Sequence, residues 1–343
     1  MSEDLIEIGK EIELELIQWE LTKECNLHCP FCYADSGPDK ISDNEYNSSE
    51  RKEIFKKLKQ IGLEELQFLG GEPLLKKDTI LYALRENEGN ISHFTITTNG
   101  TLITEELVEE LKPYKDKLSI QIALDGAKEE THDSLRGKGT YKKVISGIKI
   151  LNENNINWGT TLLATNKNFD ELEEIVEKVE EKGGEYIQIL KLRRGGREEN
   201  FYAKAGLSAE EKDKTRNKIK KLVDKYPDLV FTESFVLPYH KNRLEKAKED
   251  EESFLGCGTG LMRVSIFPNK IMSPCVGIRE NSLLAEKIED LDIKGTYQKI
   301  KDKYLKKVRE YKKQRCQECE YREECFPRSC QIEADMEKCP QER

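Results

Sequence analysis

At 343 residues the chain is long enough for about two domains, and 36% of its residues are charged. Its 66 Asp and Glu exceed its 57 Lys and Arg, and the resulting net charge of −9 disfavours general binding to nucleic acid. No run approaches the roughly 18 consecutive apolar residues of a membrane span, and the acidic N-terminal segment is unlike a signal peptide. We therefore expect a cytoplasmic protein with no membrane or nucleic-acid partner.

Six apolar runs rich in β-forming residues alternate with helical patterns along the first part of the chain. The runs are Leu14–Leu21, Leu66–Leu69, Phe94–Thr97, Leu118–Leu124, Trp158–Leu163 and Tyr186–Leu192. Between them, apolar residues recur at helical spacing, as Val144, Ile148 and Leu151 do. Consecutive strand–helix units form parallel sheets, and six units are too few for a closed eight-stranded barrel. We predict an α/β fold, a partial (β/α)6 parallel barrel with ligands at the carboxyl ends of its strands.

The alternation stops after Leu192. RRGGREEN, residues 193–200, predicts a turn built on glycine. Ser208 and Glu211 then form a capping-box pattern, which predicts the start of a Lys-rich helix that runs to about Tyr226. A further strand is expected near Leu229–Phe235.

The part of the chain after residue 256 is irregular and rich in cysteine, apart from a helical pattern over Tyr297–Tyr311. We predict a domain boundary near residue 250, with the barrel core in 1–250 and a cysteine-rich domain in 251–343. The apolar face of the predicted helix favours a packing role. Its basic outer face is expected to be solvated, with a docking site for an acidic electron donor as the alternative.

Ten cysteines fall into two groups, and in a reducing cytosol such groups are metal ligands or catalytic residues more often than disulfides. The first group is Cys25, Cys29 and Cys32, directly after the first predicted strand. Structural zinc takes four ligands, and the nearby fourth candidate is His28. It adjoins Cys29, and because adjacent side chains seldom point the same way, the two cannot easily bind one ion. Three thiolates on one loop favour a 4Fe-4S cluster with one open iron, and a zinc knuckle is the alternative.

The CxxxCxxC spacing of these cysteines resembles that of the radical S-adenosylmethionine (radical SAM) enzymes. The resemblance implies that the open iron of a 4Fe-4S cluster binds the amino and carboxylate groups of SAM. It also implies that one electron cleaves SAM to a 5′-deoxyadenosyl radical, which abstracts hydrogen from the substrate. The protein then positions the cofactor and excludes water.

Two glycine-containing segments extend the resemblance. Gly70, Gly71 and Glu72, followed by proline, resemble the GGEP motif that contacts the methionyl amino group in this family. The segment 97–101, TTNGT, resembles the TNG segment. Each segment also has an ordinary structural interpretation as a turn.

Four further positions are assigned to the SAM site by the same resemblance. Within 123–144, Arg136 matches the arginine that holds the SAM carboxylate, with a surface arginine as the alternative. Phe31 and Leu192 match apolar residues near the adenine, with core packing as the alternative. Ala123 replaces a serine that often touches SAM, and Gln121, on the same strand face, is expected to substitute for it. No catalytic base is assigned.

The second group of cysteines resembles the SPASM extension of radical SAM enzymes, which carries two auxiliary iron–sulfur clusters. The ligand plan of that extension assigns one cluster to Cys316, Cys319, Cys325 and Cys339. It assigns the other cluster to Cys257, Cys275 and Cys330. The second cluster is therefore one thiolate short, so it has a non-cysteine ligand or a water, is smaller, or offers an open iron. A zinc ribbon is the alternative.

Two departures from the SPASM pattern are local. Four residues rather than three separate Cys325 from Cys330, and Lys270 stands where a glycine is usual. We expect Asn269 to make the turn instead.

These features together predict a radical SAM/SPASM oxidoreductase that oxidatively modifies or cross-links a peptide or protein substrate. A ferredoxin- or flavodoxin-type reductant is the expected electron donor, and the auxiliary clusters are expected to accept the substrate electron. Val276, after Cys275, replaces the aspartate base of the sulfatase-modifying members, which argues against that activity. The alternatives are a radical SAM oxidoreductase acting on a small molecule, such as a cofactor or tetrapyrrole, and a zinc-binding scaffold protein.

Overall fold

One sheet connects the parts of the chain that the computed structural model describes. Those parts are residues 13–41, 44–192, 196–197, 199–231, 258–277, 279 and 282–315. Ten strands in these ranges lie in the order β10-β9-β8-β1-β2-β3-β4-β5-β6-β7. Their bounds are β1 Leu16–Glu20, β2 Glu65–Leu69, β3 His93–Thr98, β4 Leu118–Ala123, β5 Asn157–Ala164, β6 Ile187–Lys191, β7 Val230–Phe231, β8 Arg263–Ile266, β9 Ile271–Ser273 and β10 Glu286–Lys287.

Strands β1 to β7 each pair in parallel with the next, and helices connect them. The α-helices are α1 Ser48–Lys59, α2 Lys77–Glu86, α3 Glu105–Leu111, α4 Glu129–Arg136, α5 Thr140–Glu153, α6 Leu172–Glu181, α7 Glu199–Ala205, α8 Ala209–Lys225 and α9 Ile293–Arg315. The six predicted strands are therefore confirmed as β1 to β6. In the described ranges the edge strands β7 and β10 do not pair with each other, so the predicted α/β fold with an open parallel sheet is confirmed as well.

Every second residue of the central strands packs against the helices. Trp19, Phe68 and Phe94 are buried on that face, with ring centroids 6.2 and 6.0 Å apart from strand to strand. Ile54 and Leu58 of α1 belong to the same core. Burying a large apolar side chain contributes about 1.5–3 kcal/mol, so this face stabilises the sheet.

The helix after β6 begins where its capping box predicts. Ser208 is the N-cap of α8, its side chain accepts from the Glu211 amide, and the Glu211 carboxylate accepts from the Ser208 amide. The strand expected near Leu229–Phe235 is described only as β7, and the turn expected over 193–200 ends where α7 begins at Glu199.

The segment after the expected domain boundary continues the same sheet. β8 pairs in parallel with the free side of β1, and β9 and β10 add antiparallel strands beyond it. The predicted helix over Tyr297–Tyr311 lies within α9, whose residues Tyr297 and Ile300 join the main core. The boundary near residue 250 falls outside the described residues and stays a prediction. No helix in the described ranges is long and apolar enough to cross a membrane.

The turn between β8 and β9 contains Asn269, as expected. The Lys270 amide donates to the Phe267 carbonyl at 3.2 Å across Asn269, and Lys270 takes the left-handed conformation, with a φ of +67°. The Phe267 amide donates to the Ile271 carbonyl at 2.8 Å, which closes the turn. Lys270 then places its ammonium 2.6 Å from the Glu50 carboxylate at the start of α1, an ion pair that glycine does not offer.

Candidate active site

The loop after β1 carries the first three cysteines at the carboxyl end of the sheet. Cys25 and Cys29 are each only 8% exposed, and Cys32 is half-buried. Two backbone amides point at sulfur: Leu27 N–H lies 3.4 Å from Cys25 Sγ, and Ser36 N–H lies 3.3 Å from Cys32 Sγ. Such donors are typical of sulfurs that carry negative charge in a cluster.

The electrostatics of these thiols also suits metal binding. Burial raises the pKa of Cys25 to about 12, and repulsion from the carboxylate of Glu72 and the sulfurs of Cys29 and Cys32 adds to the shift. A free thiol here stays protonated at neutral pH, whereas a bound metal removes its proton. The donor set therefore fits an iron–sulfur cluster, with Cys25, Cys29 and Cys32 as its ligands.

In the described ranges no three His, Cys, Asp or Glu side chains are arranged to hold a single metal ion. A 4Fe-4S cluster requires a wider arrangement than one ion, because each of its cysteines binds a different iron. Cys275, the one cysteine of the second group in the described ranges, is half-buried, and its sulfur accepts from the Gly277 amide at 3.3 Å. The ligands predicted at Cys257, Cys316, Cys319, Cys325, Cys330 and Cys339 lie outside those ranges.

The two glycines after β2 let that loop pack directly on the chain that precedes Cys25. The Gly71 amide donates to the Thr22 carbonyl at 2.7 Å, and the Glu72 amide donates to the Glu24 carbonyl at 2.8 Å. A Cβ on Gly71 would lie 2.1 Å from the Glu24 oxygen, and Gly70 has a φ of +146°. Both positions therefore require glycine, and their predicted contact with SAM stays a prediction.

Glu72 joins the loops after β2 and β3. Its fully buried carboxylate accepts from the Thr98 hydroxyl at 2.7 Å, the Asn99 amide at 2.8 Å and the Leu74 amide at 3.1 Å. Burial raises its pKa to about 6, and these donors oppose the shift. An ionised carboxylate has about four acceptor positions, so Glu72 keeps capacity for one more donor, the position that its predicted SAM contact requires.

The TNG segment after β3 contacts the cysteine loop. Asn99 donates its side-chain amide to Asn26 at 2.9 Å and to Cys25 Sγ at 3.8 Å. Gly100, with a φ of +78°, makes the turn that this orientation requires. The segment thus supports the first cysteine from the side of the neighbouring strand.

Arg136 is held by Asp125, a residue that the sequence reasoning did not single out. Asp125 follows β4, is fully buried, accepts from the Leu163 amide at 2.7 Å and forms an ion pair with Nε of Arg136 at 2.5 Å. The guanidinium lies over the ring of Phe31, 5.3 Å from its centroid. Burial raises the pKa of the Cys29 thiol, and the positive charge of Arg136 opposes that shift. Arg136 therefore lies close to the cysteine loop.

An apolar cluster beside Arg136 brings three predicted residues together. Leu192 is buried in it with Leu135 and Phe201, and Phe31 packs against it with its ring 5.7 Å from that of Phe201. Phe31, Arg136 and Leu192 therefore form one surface, apolar on one side and cationic on the other. Their contacts with SAM stay predictions.

Gln121 lies deeper, in the middle of the sheet. It accepts from Thr97 at 2.8 Å and from Gln67 at 3.2 Å, and donates to Gln188 at 3.4 Å. Its amide is therefore engaged by neighbouring strands, and its predicted contact with SAM is not tested by these bonds.

Arg279, four residues after Cys275, lies beside the cysteine loop. Arg279 forms a two-bond ion pair with the buried Glu20 at the end of β1, at 2.9 and 3.1 Å. Its guanidinium lies over the rings of Tyr33 and Phe267, 5.5 and 4.7 Å from their centroids. Tyr33 directly follows Cys32, and Arg279 follows Cys275. The contacts of Arg279 therefore join the two segments that carry these predicted cluster ligands.

The radical SAM superfamily matches this chain over residues 19–179, which include the cysteine loop, the GGEP and TNG segments and Arg136. Residues 19–179 are a radical SAM domain. Enzymes of this superfamily bind a 4Fe-4S cluster and SAM, and the radical SAM domain here holds residues that fit that cluster.

The curated relatives are named for different products. An AdoMet-dependent heme synthase of Methanosarcina barkeri is 31% identical over 53% of this chain and 52% of its own length. The subtilosin biosynthesis protein AlbA of Bacillus subtilis is 26% identical over 75% and 54%, and the mycofactocin maturase MftC of Mycolicibacterium smegmatis is 32% identical over 53% and 45%. The chain thus spans about half the length of the curated relatives it matches.

Two solved structures share the fold. SuiB of Streptococcus suis bound to S-adenosylmethionine has a TM-score of 0.69 at 18% identity, over 98% of this chain and 78% of that one. The anSMEcpe enzyme with bound AdoMet and the Cp18Cys peptide has a TM-score of 0.66 at 18% identity, over 91% and 88%.

Proposed function

We propose that this chain is a radical SAM oxidoreductase that modifies a peptide or protein substrate. The observation that carries the proposal is the polarity of the sheet face opposite the helices, here called the inner face. A row of side chains crosses its middle: Ser265, Gln18, Gln67, Thr97, Gln121 and Gln188. The outer face, in contrast, carries the apolar side chains of the core.

The inner row is a continuous chain of hydrogen bonds. Gln18 donates to Gln67 at 2.8 Å, Gln67 donates to Thr97 at 2.9 Å, and Gln121 donates to Gln188 at 3.4 Å. All of these residues except Gln121 and Ser265 remain half-buried rather than fully buried, so a bound molecule can reach them. Amides and hydroxyls both donate and accept hydrogen bonds, as a peptide does.

A tetrapyrrole, the main alternative substrate, presents broad apolar faces. Such faces form no hydrogen bonds with the donor and acceptor positions that this row leaves open, whereas a peptide does. The relatives named for peptide products, AlbA and MftC, and the SuiB fold seen with the precursor peptide SuiA agree with the proposal. The heme synthase among the relatives represents the alternative.

In the proposed enzyme Cys25, Cys29 and Cys32 hold the cluster, Glu72 and Arg136 hold the amino and carboxylate groups of SAM, and Phe31 packs near its adenine. When bound, the cluster and SAM supply a 5′-deoxyadenosyl radical that abstracts hydrogen from the substrate. The buried apolar cluster around Leu192 excludes water from that region. Cys275 and the C-terminal cysteines bind two auxiliary clusters in a SPASM domain, and a ferredoxin- or flavodoxin-type protein supplies the electron.

Metal analysis tests the cofactor assignment first. Anaerobically reconstituted protein should hold roughly 10–12 irons per chain and show cluster absorbance. With dithionite and SAM it should release 5′-deoxyadenosine, and Cys29→Ala should abolish that release. Cys275→Ala is the matched control, because the loss of an auxiliary ligand leaves SAM cleavage intact. Zinc in place of iron, or unchanged release from Cys29→Ala, would contradict the proposal.

Mass spectrometry tests the substrate class. Co-expression with candidate precursor peptides should yield a peptide of altered mass, and incubation with iron coproporphyrin should yield no product. Gln188→Leu, at the end of the inner row, should lower peptide modification while SAM cleavage continues. Turnover of the porphyrin, with all peptides unchanged, would favour the small-molecule alternative.

A further inference from the structure

Arg197, in the glycine-containing segment after β6, reaches across to the cysteine loop. Its backbone amide donates to the Cys32 carbonyl at 3.0 Å. Its side chain donates from Nη1 to the Cys29 carbonyl at 2.5 Å, from Nη2 to the Ser36 carbonyl, and from Nε to the Asp35 carboxylate at 3.2 Å. One residue thus makes four hydrogen bonds along a segment that carries two predicted cluster ligands.

The residue before it allows this approach. Gly196 has a φ of +84°, a conformation that side-chain-bearing residues rarely adopt. A Cβ at this position would lie 2.3 Å from the Cys32 carbonyl oxygen and 2.7 Å from Cα of Tyr33. Gly196 and Arg197 therefore fit the cysteine loop as a pair. This fit accounts for the glycine and the arginine at these two positions of the 193–200 segment.

The positive charge of Arg197 lies in a largely buried position beside the cysteine loop. Its side chain is 8% exposed, whereas its carboxylate partner Asp35 is 43% exposed and shared with Lys40. A buried cation whose other partners are neutral carbonyls is costly, unless negative charge forms beside it. Three thiolates and a cluster on the same loop would supply that negative charge.

We propose that Arg197 is a positioning residue for the first cluster: it fixes the loop between Cys29 and Ser36 in its cluster-binding conformation and supplies a buried positive charge beside it. This role rests on the proposed function. Residues that orient metal ligands in this way typically change metal affinity by about 10–100-fold when they are removed. A nearby cation also stabilises the reduced, more negative form of a cluster, so its loss should lower the reduction potential.

The test compares Arg197→Met, which removes the guanidinium, with Arg197→Lys, which keeps the charge and loses the fork of donors. Iron release to a chelator is timed in reconstituted full-length protein, and low-temperature electron paramagnetic resonance is recorded with and without SAM. A SAM-dependent change in the spectrum reports the cluster with the open iron. Redox titration of that signal gives its potential.

In Arg197→Met the SAM-responsive signal should decay about 10–100-fold faster under chelator, and its potential should fall. Arg197→Lys should restore the potential and leave the decay fast. Arg85→Met is the matched control, because Arg85 is exposed on α2 and pairs with the adjacent Glu86. If Arg197→Met matches Arg85→Met in both decay and potential, the role assigned to Arg197 is wrong.

Failure of the proposed radical SAM function would give a different result, because wild-type protein would then hold no iron and show no SAM-responsive signal. Should Arg197→Met not fold, as judged by circular dichroism, Arg197→Lys and Asp35→Asn carry the test. Asp35→Asn removes the partner of Nε and should speed the decay by a smaller factor. Wild-type decay in both would overturn the assignment.

Discussion

Asp125 is the buried anion on which the orientation of Arg136 depends. Its carboxylate is fully buried between the Arg136 guanidinium and the Leu163 amide. Asp125→Asn leaves the cation without a charged partner, which costs about 3–5 kcal/mol in a buried pair. We expect a fall of that size in the free energy of unfolding, measured by denaturant titration, and weaker SAM binding.

The control for that substitution is Asp213→Asn on α8. Asp213 pairs with Arg216 at 3.0 Å on the exposed surface, where such pairs contribute little. The prediction for Asp125 is wrong if both variants lose the same stability.

His132 is held neutral in the folded protein. It is fully buried, its Nδ1 accepts from the Asp125 amide at 3.2 Å, and its Nε2 has no partner among the described residues. Burial lowers its pKa from 6.5 to about 4. The unfolded chain therefore takes up a proton at a higher pH than the folded chain does.

Stability from this group is fully present above pH 6.5 and is lost as the pH falls towards 4, by about 3 kcal/mol in total. His132→Asn retains an acceptor near the Nδ1 position and removes the titration. We expect a flatter dependence of unfolding free energy on pH in this variant, followed by denaturant titration from pH 4 to 8. Identical slopes in wild type and variant would exclude His132 as the source.

The elements β1 to β6 could be predicted because each is a short apolar run between amphipathic helices. The capping box of Ser208 and Glu211 fixed the start of α8 by local chemistry alone. β8 also lies in the sheet, but its position beside β1 could not be predicted, because the contact joins residues nearly 250 positions apart. The local sequence patterns of β1 and β8 do not indicate that these two strands pair.

The turn between β8 and β9 yields a prediction at this scale. Lys270 has a φ of +67° and an ion pair with Glu50. Lys270→Ala loses the ion pair and keeps the unfavourable conformation, which costs about 1–2 kcal/mol, whereas Lys270→Gly loses the ion pair and removes that cost. We therefore expect the glycine variant to unfold at the higher temperature of the two.

The same pair of substitutions at Lys287 in β10 is the control. Lys287 is exposed in extended backbone, where glycine weakens a strand relative to alanine. The order of the two melting temperatures should reverse there. The same order at both positions would remove the conformational explanation for Lys270.

At the scale of the whole molecule, the site is assembled from parts that no single motif contains. The CxxxCxxC and GGEP motifs were visible in the sequence, as was Arg136. Asp125 and Arg197 were not singled out, since an aspartate after a strand and an arginine in a glycine turn have many ordinary roles. Their contacts arise only when the strand ends meet.

The ion pair of Glu20 and Arg279 connects the C-terminal segment to the radical SAM domain. Arg279→Met leaves Glu20 buried without this charged partner, and we expect a loss of about 3–5 kcal/mol in unfolding free energy. Glu20→Gln combined with Arg279→Met should recover part of that loss, because the double variant leaves no unpaired charge. A double-mutant cycle by denaturant titration measures the coupling.

Additive losses in the double variant would show that the two side chains act independently. Lys303→Met, which breaks an ion pair with Glu286 on the surface, is the reference for an exposed pair.

β1 lies between β2 and β8, and β8 begins only at Arg263. During translation, the side of β1 that pairs with β8 therefore stays unpaired until β8 has left the ribosome. Open strand edges invite pairing with other chains. Fragments that stop short of β8 should consequently aggregate, and loading of the amino-terminal metal centre should follow completion of synthesis.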